Sequence, residues 1–125
     1  MRAITDITAI RGAITVEHND EQEIAEATRE LMSEIAQKND LDSSEKKIIS
    51  ILISTTADLT SKYPAAILRG MGYSDSALFS SLEPPINNSL SMCIRLMVNV
   101  ASYGGTLEPK HVYLKNARVL RPDLI

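Results

Sequence analysis

Tryptophan is absent from this chain of 125 residues, phenylalanine occurs once, and Cys93 is the sole cysteine. A single cysteine excludes an internal disulfide and any paired-cysteine metal site. The opening residues do not read as a basic-then-apolar leader, and no apolar run reaches the roughly 20 residues that cross a bilayer. A reducing cytoplasm is therefore the expected compartment, with no membrane partner. Thirteen Lys and Arg against sixteen Asp and Glu leave a net charge of -3. The basic residues are scattered, so no nucleic-acid partner is expected either. There is no Gly-rich phosphate loop and no nucleophile elbow, and the two histidines, His18 and His111, stand far apart in sequence. Hydrolysis, phosphoryl transfer and metal catalysis all lack the residue patterns they require.

What is present describes an ordinary globular chain. An apolar fraction of 44% with 23% charged residues lies well away from disordered compositions. The length suits one core, hence a single domain over residues 1–125. Ala3 to Val16 is rich in Ile, Thr and Val and reads as a strand, with a break or bulge near Gly12. Asn19 and Asp20 supply caps for a helix in which Ile24, Thr28, Leu31 and Ile35 share a face and Glu34 pairs with Lys38. A turn over Asn39 to Ser44 precedes a β-branched strand, Ile48 to Ile53. Tyr63-Pro64 opens a short helix that stops near Gly70 or Gly72. Ala77 to Leu82 is a further strand, ended by Glu83-Pro84-Pro85. The clearest strand is Met92 to Ala101; His111 to Leu114 is strand-like, and Val119 to Pro122 is predicted to be extended.

Three arginines interrupt apolar, extended stretches: Arg11 in TAIRGAITV, Arg95 in MCIRLMVNV and Arg121 in RVLRPDL. Alternation puts Cys93, Arg95, Met97 and Asn99 on one face of their strand and Ile94, Leu96, Val98 and Val100 on the other. A guanidinium held mid-strand needs an anion, because leaving it unpaired costs several kcal/mol as an order of magnitude. That anion is either a protein carboxylate or a ligand. Three such arginines in one small chain favour a ligand with more than one carboxylate, which the planar guanidinium fork suits. With no nucleophile or metal set in view, what remains is binding of a polyanion, or a reaction that needs only positioning and charge stabilisation.

The strings AIRGAITVE (Ala9 to Glu17), TADLTSKYPA (Thr56 to Ala65), Glu83 twelve residues before Arg95 in CIRLM, and HVYLKNARVLRPDL (His111 to Leu124) closely resemble the AroH-type chorismate mutases. The resemblance spans nearly the whole chain. It implies an α+β fold, a mixed sheet with helices packed on one side, and a trimeric pseudo-barrel whose active sites lie between two chains. It implies the isomerisation of chorismate to prephenate, in aromatic amino acid biosynthesis, with no cofactor and no metal. Carried across by residue, it makes Arg11 and Tyr113 partners of a substrate carboxylate, Arg95 the group at the breaking ether oxygen, and Glu83 the acceptor of the ring hydroxyl, beside the main chain of Ser80. Tyr63, Ala65, Leu78 and Phe79 would line an apolar wall, and Arg69, Leu120 and Arg121 would sit near the mouth. Asn88 stands where a loop glycine is frequent, and asparagine tolerates a left-handed backbone.

Each residue also has a plainer reading. Glu83 before two prolines suits a solvated turn, Tyr113 suits a core edge, Arg121 could pair with Asp123, and Arg69 could favour a helix C-terminus. Cys93 reads as an ordinary buried thiol. A trimeric binding module or sensor for a small dicarboxylate, using the same arginines without turnover, is the alternative function. A trimeric deaminase of reactive enamines shares the general architecture, but its motifs are not read here.

Overall fold

The computed structural model describes residues 2–124. Its sheet has five strands, β1 (Asp6–Thr15), β2 (Lys46–Thr55), β3 (Ala77–Leu82), β4 (Cys93–Ser102) and β5 (Val112–Leu114), in the spatial order β3-β2-β4-β1-β5. The central strand β4 runs antiparallel to both neighbours, β1 and β2, while the edge strands β3 and β5 pair in parallel with β2 and β1. The sheet is thus mixed, and two helices, α1 (Glu21–Lys38) and α2 (Pro64–Gly70), supply the α component of the α+β fold.

The helix α1 forms where the pattern predicts it. Asp20 is the N-cap, its side chain accepting the Glu23 N–H at 3.0 Å, and the Glu23 carboxylate reaches back to the backbone N–H of His18 at 3.2 Å. The cap satisfies one donor that a helix start leaves orphaned, and the Glu23 carboxylate fixes the chain that leads into the helix. Asn19 has a different task, accepting the N–H groups of Thr60 and Ser61 and so tying the approach to α2 onto the start of α1. The predicted Glu34–Lys38 pair is present at 3.6 Å. Ile24, Leu31, Met32 and Ile35 are fully buried against the sheet.

The sheet face under α1 carries Ile10, Gly12 and Ile14 of β1, Ile94, Leu96, Val98 and Val100 of β4, and Ile51 and Ile53 of β2 in one register. A bulge between Ile48 and Ser50 in β2 maintains it. Ile48 and Ile51 are three residues apart and would alternate to opposite faces of a regular strand, but the extra residue returns both to the α1 side.

Two expectations need correction. β1 is continuous past Gly12 and pairs with β4 from Asp6 to Thr15 without a shift. The glycine marks crowding: a Cβ there would lie 2.6 Å from Cδ1 of Ile35 and 3.2 Å from the carbonyl oxygen of Val112. Nor is Val119 to Pro122 extended. The chain turns through 3₁₀ segments at Lys115–Val119 and Pro122–Leu124, which lets Ala117 pack against Ala13, Cys93 and Tyr113. Asn88 does adopt the left-handed conformation, at φ 63°.

Gly12→Ala should therefore destabilise the fold by about 1–3 kcal/mol, the usual cost of an inserted methyl in a packed core. Ile35 can rotate away, but the Val112 carbonyl belongs to the β5 backbone and moves less readily. Denaturant unfolding at fixed protein concentration measures the difference, and an alanine variant as stable as the parent would contradict the close approach.

Candidate active site

The face of the sheet away from α1 holds the arginines. The strand pairings set Ser81, Ser54, Arg95, Ala13 and Tyr113 in one row across all five strands. Phe79, Leu52, Met97 and Arg11 form the adjacent row. Small residues flank Arg95 on both sides, which leaves room above the sheet for its side chain and for something bound to it. A cavity of about 370 Å³ lies over these rows and is lined by Arg11, Arg95, Glu83 and Tyr113 among others. Residues separated by up to about a hundred positions in the chain thus meet on rigid strands.

Glu83 follows β3, and its backbone N–H continues the pairing by donating to Thr55 O at 2.9 Å. Its carboxylate is held on one side by the Ser54 hydroxyl, which donates to Oε2 at 3.1 Å. On the other side Oε1 lies 3.4 Å from Nε of Arg95, the two side chains being 26% and 37% exposed. The charges are adjacent, yet the geometry is not that of a hydrogen bond. Arg95 Nε is shut off from solvent and, among the described residues, has no hydrogen-bond partner. The part of the guanidinium that an acceptor in the cavity can meet is its exposed remainder, since the side chain as a whole is only part-buried and lines the cavity.

Arg121 forms a two-pronged pair with Asp123, at 3.1 and 2.9 Å, and its hydrogen bonds hold the Asp123 carboxyl below the usual carboxylate range. Arg121 also lies near Arg11 through His111: burial lowers the His111 pKa, and the positive charges of Arg11 and Arg121 lower it further. Leu120 packs on the small cluster around Tyr113 and Cys93.

The remaining sequence-predicted residues are not brought to this cavity. Tyr63 and Ser80 line a neighbouring cavity of about 690 Å³, which shares Ile53, Ser81 and Leu82 with the first. Ala65 is buried in the main core and Leu78 packs against it on the α1 side of the sheet. Phe79 stands 66% exposed on the open face. Arg69 is exposed in the last turn of α2. One set of residues surrounds Arg95, and a second set occupies the far edge of the sheet around β3 and α2.

A family profile described as chorismate mutase type I matches residues 7–124. The chain belongs to that family. It is 37% identical over 118 residues to chorismate mutase AroH of Thermus thermophilus, across 94% of this chain and 96% of that one. It is 34% identical over 119 residues to chorismate mutase AroH of Bacillus subtilis, across 94% and 92%. A solved structure of a chorismate mutase from Clostridium thermocellum matches with a TM-score of 0.79 at 39% identity, covering 90% of this chain and 98% of that one.

Two supports of the site escape the sequence reading. Ser54 lies just past the strand Ile48 to Ile53 that the sequence predicts, yet its hydroxyl steadies Glu83. Asp58 grips the N–H of Met92 with both carboxylate oxygens, at 3.2 and 3.0 Å. Met92 has φ 54°, a left-handed conformation that costs a non-glycine residue energy, and it launches β4 toward Arg95. The signal available was Thr56-Ala57-Asp58, a pattern suited to side-chain hydrogen bonds with nearby backbone.

Cys93, two residues from Arg95 on the same face, is no nucleophile. Burial pushes its thiol up to about 11, against a smaller downward pull from Arg95. With the folded pKa above the unfolded value of about 8.5, its contribution to stability is complete below about pH 8.5 and fades as the pH rises above it. Iodoacetamide at about pH 8 should label the denatured chain quickly and the folded protein far more slowly. Rapid labelling of the folded protein would contradict the burial.

Proposed function

We propose that this protein converts chorismate to prephenate by a concerted [3,3] rearrangement, with the residues around Arg95 as its catalytic centre. Membership of the chorismate mutase family makes the chain an isomerase of aromatic amino acid biosynthesis. The observation that carries the residue assignment is the row that sets Arg95, its side chain partly exposed to the cavity, beside Glu83 and Tyr113.

In the reaction the ether bond lengthens as the new carbon–carbon bond forms, and negative charge gathers on the ether oxygen. Arg95, fixed on the central strand, meets that charge more strongly in the transition state than in the substrate. Glu83, turned toward the cavity by Ser54, accepts the ring hydroxyl. Arg11 and Tyr113 hold a carboxylate and restrict the side chain to reactive geometry. The electron pairs move within the substrate, so no protein base or nucleophile takes part.

The second set of residues completes the site in this reading when it comes from a neighbouring chain. Tyr63, Phe79 and the Ser80 main chain then form the wall with Arg69 at its mouth, facing Leu120 and Arg121 of the first set, while the buried Ala65 and Leu78 only back that wall from the core. A homotrimer is supported by the open face itself, where Ile7 and Phe79 are each 66% exposed and Leu52 is 43% exposed. A sheet face this apolar is suited to burial against copies of itself. The compartment is the cytoplasm in the same reading; among the described residues no helix is long and apolar enough to cross a membrane. A non-catalytic binding module for a small dicarboxylate would have no use for a cation aimed at an ether oxygen.

Incubation of the pure protein with chorismate should convert it to prephenate, and Arg95→Ala should lower kcat by about 10²-fold to 10³-fold, with a smaller change in KM. Lysine at this position should recover part of the loss, because it keeps the charge without the fork. A folded alanine variant with normal turnover would refute the role given to Arg95. Sedimentation should give a particle of three chains, and a fully active monomer would rule out the shared site.

A further inference from the structure

His111 stands just before β5, and no part of the proposed reaction uses it. Its ring Nδ1 accepts the backbone N–H of Arg11 at 2.9 Å. A backbone N–H can only donate, so Nδ1 carries no proton and the ring is neutral, with its proton on Nε2. The β1–β5 ladder comprises Gly12 with Val112, Ala13 with Tyr113, and Ile14 with Leu114. His111 precedes the first of these pairs, and its side chain supplies the partner that Arg11 would otherwise lack at the head of the ladder.

The histidine is itself held from the other side of the molecule. Asn39, 2% exposed at the C-cap of α1, donates from Nδ2 to Lys110 O at 2.9 Å and accepts the Lys110 N–H on Oδ1 at 2.8 Å. Both backbone groups of the residue before His111 are thereby clamped. A chain of contacts runs from the end of α1 through Lys110 and His111 to the peptide that carries the Arg11 side chain.

We propose that His111 is a positioning residue: its neutral imidazole, clamped through Asn39, fixes the Arg11 backbone so that the guanidinium meets the substrate carboxylate without being reoriented. This rests on the reading of Arg11 as a carboxylate partner. The charged groups that face the ring favour the neutral form. Arg11 on β1 and Arg121 in the C-terminal turn both lower its pKa, in addition to burial. Asp123 is engaged by Arg121, and the adjacent Lys110 is a further cation, on an exposed side chain. Tyr113, next but one on β5, is uncharged at neutral pH. Since the folded pKa lies below the ordinary value near 6.5, the contact persists through that pH and is lost only as the pH falls further.

The test compares His111→Ala, His111→Asn, Arg11→Ala and the double alanine variant with the parent, using chorismate turnover with thermal unfolding as a control for folding. His111→Ala should raise KM about 3-fold to 10-fold, the scale of one net hydrogen bond, and change kcat less. His111→Asn offers an oxygen near the place of Nδ1 and should recover most of the parent KM. Between about pH 8 and pH 5 the parent KM should stay flat through 6.5 and rise only below it, while the asparagine variant stays flat throughout. In the Arg11→Ala background, His111→Ala should add nothing. If Arg11→Ala raises KM and His111→Ala does not, or if asparagine and alanine behave alike at position 111, the positioning role is wrong. If Arg11→Ala itself leaves KM unchanged, the reading of Arg11 fails and this inference falls with it. Should the alanine variant not fold, the asparagine variant and the parent pH profile still decide the matter.

Discussion

The sheet has two faces, and among the described residues the α-helices cover only one of them, the 3₁₀ turn at Lys115–Val119 covering just the corner of the other around Ala13 and Tyr113. α1 and α2 dry the side that carries Ile10, Ile14, Ile51, Ile53, Ile94, Leu96 and Val98, and this separation holds every other feature in place. Because side chains alternate with a period of two, a slip of one residue in β4 would turn Arg95 into the core and Ile94 out of it. The bulge at Ile48–Ser50 is the device that keeps β2 in phase along its whole length. Gly12 is the counterpart in β1, where the missing side chain lets Ile35 come down onto the sheet while Arg11 and Ala13 face the opposite way. The close packing of one face and the chemistry of the other are therefore consequences of the same register.

That register also explains how a cation is kept in place without being neutralised outright. Arg95 occupies the middle strand, where backbone pairing on both sides restrains it more firmly than a loop would. Glu83 lies close enough to offset its charge, yet Ser54 draws the carboxylate partly toward itself. A directly hydrogen-bonded pair would already have satisfied the Arg95 donor, and a ligand would then have to displace the carboxylate. The adjacent carboxylate lowers the desolvation cost that a lone buried guanidinium would bear, while the exposed remainder of the guanidinium stays open to a ligand.

Much of this was legible because it is local or periodic. The alternation in MCIRLMVNV separates Arg95 from the core on sequence alone, Asn19 and Asp20 mark the start of α1, and the prolines after Glu83 mark the end of β3. The failures share a different cause. Gly12 looks like a break when only its neighbours along the chain are considered, whereas its reason is Ile35 across the core. Val119 to Pro122 has the composition of a strand, but Ala117 is drawn over Ala13 and Cys93 and the backbone tightens into 3₁₀ turns to allow it. His111 was set aside because the other histidine is distant in sequence, while its actual partner is a backbone amide, which leaves no trace in residue identity.

The division of the predicted site residues into two sets follows from the same two-faced sheet. Along the open face, a polar row of Ser81, Ser54 and Arg95 runs beside the apolar row of Phe79, Leu52 and Met97. Water over the whole face would leave the apolar row exposed, and protein over the whole face would strand the charges. Covering the apolar positions with other copies of the chain, while leaving the polar row as the floor of a cavity, resolves both demands at once. On that account the proposed trimer and the proposed active site are one solution to one problem: the surface that needs partners for stability is the surface whose uncovered remainder does the chemistry.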